Sequence, residues 1–112
     1  FVKGMGGKCT FEIRKGYTVL INAGDITSKI RLYAEDFLGI DNVVDVDLRM
    51  TAEDFAFYSQ QMPACFYRLG TGNKSKNIIS GVHTPTFDID ENALEIGMGL
   101  MAWMAINELI EK

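Results

Sequence analysis

The sequence predicts an α/β fold, and three observations carry that expectation. Short stretches of alternating polar and apolar residues read as strands, stretches with helical periodicity stand between them, and glycine-rich turns mark the joins. Strands separated by helices imply a sheet that is at least partly parallel. With 112 residues, the chain has the length of one small domain and no room for a second independent core.

The elements follow in order. GMGG at 4–7 is a turn, and KCTFEIR at 8–14 alternates as a strand, with Cys9, Phe11 and Ile13 on one face. KGYTVLINAGD then reads as a linker or hinge, with a short strand over 17–21. From Asp25 a helix is expected, because Ile26, Ile30, Tyr33, Ala34 and Phe37 recur at its period; Gly39 stands where a left-handed C-terminal cap would. NVVDVDL at 42–48 is a strand with Val44, Val46 and Leu48 on one side. Thr51 then opens a second helix through the box T-A-E-D, with Phe55, Tyr58 and Met62 on one side, and Pro63 stops it. ACFYRL at 64–69 is a strand leading into the loop GTGNKSKN. A second irregular segment carries His83, the only histidine. Asp90 is a good N-cap for the longest helix, expected over 91–111. That helix is apolar almost all round and must be covered by other elements. Gly97 and Gly99, each costing about 1 kcal/mol against Ala in a helix, signal very close packing there.

The composition is that of a soluble globular protein, 47% hydrophobic and 23% charged. A net charge of −4, with the basic residues scattered, argues against a nucleic-acid partner or an anionic membrane surface. The longest apolar run, Ile96 to Ile106, falls short of the roughly 20 residues that a bilayer span needs. Cys9 and Cys65 stand far apart without a CxxC spacing, so a reduced, cytoplasmic protein is the simplest expectation. The chain starts at Phe1 without a leader pattern, a first hint of a piece of something longer. The last helix gives a second hint, since it needs more covering surface than a few short strands provide.

Several motifs carry no chemistry. GMGGK has Val2 and Cys9 where a phosphate-binding loop needs Gly and Ser/Thr, and GTGNKS ends in Ser75 where a dinucleotide fingerprint needs Gly. Both are turns. Asn73-Lys74-Ser75 matches a glycosylation sequon, but nothing points to a secreted compartment. No GxSxG occurs, and neither cysteine has a histidine nearby in sequence.

Two features have both an ordinary and a functional account. Glu53 and Asp54 either complement a helix dipole or place a carboxylate at the carboxyl edge of a sheet, where open α/β folds keep their sites. His83 is either a polar loop residue or a metal ligand: Pro85 stiffens its loop and Val82 before it is expected to be buried. A catalytic zinc needs three protein ligands or more, and this chain has no second histidine and no HxxxH or HxD pair.

Two linked stretches resemble a known family. RMTAEDFAFYSQQMPACFYRLGTGN is similar to the segment that N-acyl-amino-acid amidohydrolases, hippurate hydrolases and related metallo-carboxypeptidases write as MGxEDFxFY, a proline, an aromatic-rich strand and LGxGN. GVHTPTFDIDENALEIG is similar to their LHSPxFDxDExALxxG, in the same order. EIRKGYTVLINAGDITSKI resembles the return from that family's inserted lid domain, so the likeness covers nearly the whole chain. Thr51–Ala52 departs from the family glycine before EDF, and Thr18–Val19 stands where hinge prolines are often found.

The resemblance implies a zinc-peptidase-like α/β catalytic domain with an inserted lid that often dimerises. Residues 1–21 match the lid's tail and hinge, and 22–112 the C-terminal half of the catalytic domain. It implies hydrolysis of an N-acyl amino acid or peptide amide by metal-activated water, with a glutamate as general base. The metal would be a pair of divalent ions, zinc first, with manganese, cobalt or nickel as other choices. His83 matches the last metal-ligand histidine, and Glu53, Asp54, Gly72 and Thr84 match positions lining the active site. The family's general base and remaining ligands have no match here, so the chain by itself is expected to be inactive. A small non-catalytic α/β module that binds a ligand or partner subunit is the alternative expectation.

Overall fold

Three α-helices are present among the described residues: α1 (Gly24–Leu38), α2 (Phe55–Ser59) and α3 (Asn92–Ile110). The computed structural model describes residues 1–110; the end of the last expected helix, at 111, lies outside them. Three single 3-10 turns, at Lys3–Met5, Ile40–Asn42 and Lys74–Lys76, complete the regular elements among the described residues.

Helix α1 forms where its periodicity predicts. Asp25 lies in its first turn, where a negative charge complements the exposed N–H groups. Thr27 and Ser28 fold their hydroxyls back onto the carbonyls of Ala23 and Gly24 (2.7 and 3.0 Å), so neither competes with the helix. The C-terminus differs from expectation. Gly39 has φ 86° but ψ 144°, an extended conformation open essentially to glycine alone, not a left-handed cap. Its N–H still donates to Glu35 O (2.8 Å), and Asn42 Nδ2 donates to Leu38 O (2.8 Å). The turn is thus closed by a side-chain amide.

Helix α3 crosses α1, and the two supply the core: Tyr33 and Ala34 from one, Leu100 and Met104 from the other, with Ile30, Leu38 and Trp103 at the margin. Burying one such side chain contributes about 2 kcal/mol. The two helical glycines have the expected role. A methyl group at Gly97 would sit 2.7 Å from Leu69 Cδ2, and one at Gly99 would sit 2.8 Å from Phe37 Cζ. Phe37 and Leu69 therefore rest in notches cut into α3. At 19 residues, α3 is also long and apolar enough to cross a membrane by length and composition, contrary to the run-length argument. Core helices share that property when they are mostly buried, but only 17% of this stretch is, and Leu94, Met98, Met101 and Leu109 are exposed. Phe37 and Leu69 fill two notches, and the fuller covering expected for α3 is not present among the described residues.

Helix α2 is shorter and later than predicted. Thr51 caps nothing; the helix begins at Phe55, whose N–H is taken by Glu53 Oε1 at 3.1 Å. A carboxylate two residues before the first helical N–H has displaced the threonine hydroxyl. Phe55 stacks on Phe66 at 5.6 Å and on Tyr58 at 5.9 Å, whereas Tyr58 and Met62 stay exposed.

The strands expected at 8–14, 17–21, 42–48 and 64–69 do not form a sheet. These segments run without ladder hydrogen bonds, and the α/β layer is not realised among the described residues. The sole bridge among them is Asn73↔Ile78. The reason is physical: a strand is completed by a neighbour running about 4.8 Å away along its length, and the nearest approach to one is the single backbone bond from Ala23 N to Ala64 O (2.9 Å). Residues 43–49 and 65–68 instead face a shared cleft of about 640 Å³, lined also by α1 and α3 residues such as Ala34 and Leu100. Segment 64–66 is held by Asn22, whose Nδ2 donates to Phe66 O (2.9 Å) while its Oδ1 accepts from Phe66 N (2.8 Å). One side-chain amide imitates a strand neighbour's backbone there.

The result is expanded. The radius of gyration is 20.0 Å, against roughly 13 Å for a compact domain of this length. The accessible surface is 9773 Å², against roughly 6,200 Å² for a folded monomer of this mass. Phe11, Ile13, Val44, Val46 and Leu48, expected on a buried sheet face, are all exposed.

Candidate functional site

His83 stands at the tip of an irregular loop between Ile78 and Asp90, with φ 64°. For a non-glycine residue that left-handed conformation costs about 1–2 kcal/mol and persists only where its surroundings hold it. They do. Thr84 Oγ1 donates to Gly81 O (2.8 Å), closing the chain beneath His83, and Phe87 N donates to Thr84 O (3.1 Å). The hydroxyls of Ser80 and Thr86 clip the two arms together at 2.8 Å. The imidazole is solvent-exposed on this held turn. Val82 is exposed too, 60% of its surface being accessible, so burial of Val82 is not what stiffens the loop.

The base of the loop is fixed by Asp90, a buried carboxylate. Its Oδ1 accepts from Lys76 Nζ (2.6 Å) and Asn92 N (3.3 Å), and its Oδ2 from Asn73 Nδ2 (2.5 Å). Its own N–H donates to Thr71 O (2.8 Å), and its carbonyl accepts from Ala93 N (2.9 Å) at the start of α3. The Lys76 ammonium first, and the Asn73 amide second, pull its carboxyl pKa from 3.8 to about 2. Asn73 is fully engaged, since its Oδ1 accepts from Ser75 N (3.0 Å) and Ser75 Oγ (2.7 Å). The sequon asparagine is thus a structural residue of this turn.

The other candidates are dispersed. Glu53 is half-buried, holds the N-terminus of α2 and lines the large cleft. Asp54 is exposed and makes no side-chain cap. Gly72 passes close to the Ile78 carbonyl, which a Cβ there would approach to 3.4 Å. Thr84 spends its hydroxyl inside the His83 turn. His83 and Thr84 are therefore together, Gly72 lies at the loop's base, and Glu53 belongs to the cleft.

The chemistry of His83 fits one position of a metal site, as an accessible imidazole on a rigid turn. Its co-ligands are not at hand: among the described residues no three or more of His, Cys, Asp and Glu are grouped to hold an ion. No hydrolytic step can be assigned to a metal on these residues alone. Cys9 and Cys65 are both free thiols. Tyr67, beside Cys65 in the cleft, has its phenol pushed upward by burial and then by the neighbouring thiol.

The sequence reading missed the clamp. Asp90 was legible as a helix cap, but its ties to Asn73 and Lys76 span 17 and 14 residues and leave no periodic signal. The positive φ of His83 was likewise invisible, apart from the mild preference of histidine for that region.

Comparison with known proteins now places the chain. The sequence model of peptidase family M20/M25/M40 matches residues 4–107, so the chain belongs to that family of metal-dependent hydrolases. It is 40% identical over 76 residues to IAA-amino acid hydrolase ILR1-like 4 of Arabidopsis thaliana, an alignment covering 68% of this chain and 17% of that protein. It is 28% identical over 101 residues to the putative amidohydrolase YhaA of Bacillus subtilis, covering 90% and 26%. Thermostable carboxypeptidase 2 of Saccharolobus solfataricus is 30% identical over 102 residues, covering 90% and 25%. The chain thus spans about a quarter or less of the length of these curated relatives. No solved structure matches it.

Proposed function

We propose that this chain supplies the C-terminal part of the catalytic α/β unit of a metal-dependent amidohydrolase or peptidase. The match to the peptidase family over residues 4–107 carries that reading, with His83 held at the tip of a stiff loop. In it, residues 1–21 end the lid domain and 22–112 belong to the catalytic domain. The substrate class is an N-acyl amino acid or peptide amide, in keeping with relatives called amino acid hydrolase, amidohydrolase and carboxypeptidase. His83 serves as one ligand of a pair of divalent ions, zinc foremost. Bound metal would supply an activated water. Glu53, Asp54, Gly72 and Thr84 line the site, and the working protein is a cytoplasmic homodimer.

The unpaired segments support the same reading. Residues 43–49 and 65–68 have the alternation of strands and an open cleft between them, room that further strands would fill. The general base and remaining ligands come from outside these 112 residues.

Two experiments test this. In a polypeptide that supplies the other ligands, His83→Ala should lose one metal equivalent by elemental analysis; unchanged metal content and turnover would remove His83 from the ligand set. The 112-residue chain should not hydrolyse N-acetyl amino acids or hippurate. Turnover sensitive to chelators would overturn the argument from the missing base.

A further inference from the structure

We infer that Asp90 is a positioning residue for His83, clamping the base of the loop that presents the imidazole. The inference rests on the reading of His83 as a metal ligand and deepens it. The loop leaves the Asn73–Ile78 turn and returns at Asp90, so its two ends meet at one carboxylate. On the departing side, Asp90 holds Asn73 Nδ2 and Lys76 Nζ through different oxygens, and its N–H reaches Thr71 O. On the returning side, it is the residue from which α3 starts, through Asn92 N and Ala93 N. A short loop with joined ends and its own internal bonds behaves as a compact unit. Here the internal bonds are Ser80–Thr86 and Thr84–Gly81, directly beneath His83. The tip is held by hydroxyls and the base by one buried, doubly bridged carboxylate. Shifting that carboxylate moves both ends of the loop together and carries the imidazole with them.

The obvious function of an aspartate in this place is to cap α3, so the test must separate the two roles. Asparagine caps a helix about as well as aspartate, so Asp90→Asn keeps the cap and removes the charge that holds Lys76. Lys76→Gln removes the same bond without touching the helix. In the 112-residue chain, both variants should speed hydrogen exchange of the bonded amides of residues 73, 78, 87 and 90 by about tenfold, while the α1 and α3 amides keep their protection. In a longer polypeptide that completes the site, both should weaken Zn²⁺ binding about 10–100-fold, as measured by competition with a chelating dye. Loop exchange at the parent rate, or loss of protection spread equally over α1 and α3, would overturn the inference. The two readings fail separately. If His83→Ala leaves metal content intact while Asp90→Asn still loosens the loop, the clamp stands and the ligand assignment falls. If His83→Ala loses metal while Asp90→Asn and Lys76→Gln change neither exchange nor Zn²⁺ affinity, the clamp falls alone.

Discussion

The helical pair α1–α3 and the extended segments at 8–22 and 43–50 differ in one respect that explains both. A helix satisfies its backbone hydrogen bonds from its own residues, so α1 and α3 form as helices whether or not all of their apolar surface is covered. A strand satisfies its bonds only through a neighbour, so equally regular alternation at 8–14 and 42–48 yields extended chain without a sheet. The 71–90 region shows a third course. With only a single 3-10 turn and one isolated bridge, it is ordered largely by side chains, Asp90, Asn73, Ser80 and Thr84 adding to a few backbone bonds.

The largest effect should come from breaking the helical pair. Leu100 is 3% exposed at the centre of its contact, and Leu100→Ala should cost about 2–5 kcal/mol, seen as loss of the cooperative helical transition in thermal circular dichroism. A transition unchanged within error would mean that α1 and α3 do not stabilise each other. Next comes the notch at Gly97. Leu69 lies 2.7 Å from a Cβ there, so Gly97→Val should cost about 1–3 kcal/mol in urea denaturation. A neutral result would show that Leu69 moves aside freely.

Acid should act through the side-chain-ordered region. The carboxyl of Asp90 is depressed to about 2 in the folded chain from an ordinary 3.8. Its contribution is therefore fully present above about pH 4 and disappears as pH falls through about 2. The difference in Tm between parent and Asp90→Asn should accordingly narrow between these two pH values, and a constant gap would detach the effect from ionisation.

His83→Gly offers a smaller change in the opposite direction. Relief of a φ of 64° outweighs the added entropy of glycine by less than about 1 kcal/mol, so stability should rise slightly. A loss would mean that contacts of the imidazole itself hold the loop. The smallest effect belongs to the unpaired segments: Val46→Thr, at a position 54% exposed, should alter stability by no more than about 0.5 kcal/mol. A larger loss would show that segment 43–48 is paired in solution.

How far the sequence was legible follows the same division. Helix α1 and the core of α3 were readable because their signals are local: apolar residues at helical spacing, and two glycines that only close packing justifies. The start of α2 was misplaced because Thr51 and Glu53 are both chemically able to cap, and the backbone path chose Glu53. His83 was singled out by its residue type and by the motif around it, whereas its strained backbone depends on hydrogen bonds from Thr84, Ser80 and Thr86 that no spacing rule encodes.

By itself, the sequence determined where the two long helices stand, which residues are apolar, and that one histidine lies in a motif of a hydrolase family. These depend on covalent order and short-range periodicity. Tertiary structure alone decided that the strand-like segments remain unpaired, that Phe37 and Leu69 fill the notches of α3, and that Asp90 closes the loop presenting His83. Each of those joins residues far apart in the chain, and a hydrogen bond or packing contact across such a separation exists only once the intervening backbone has taken its path.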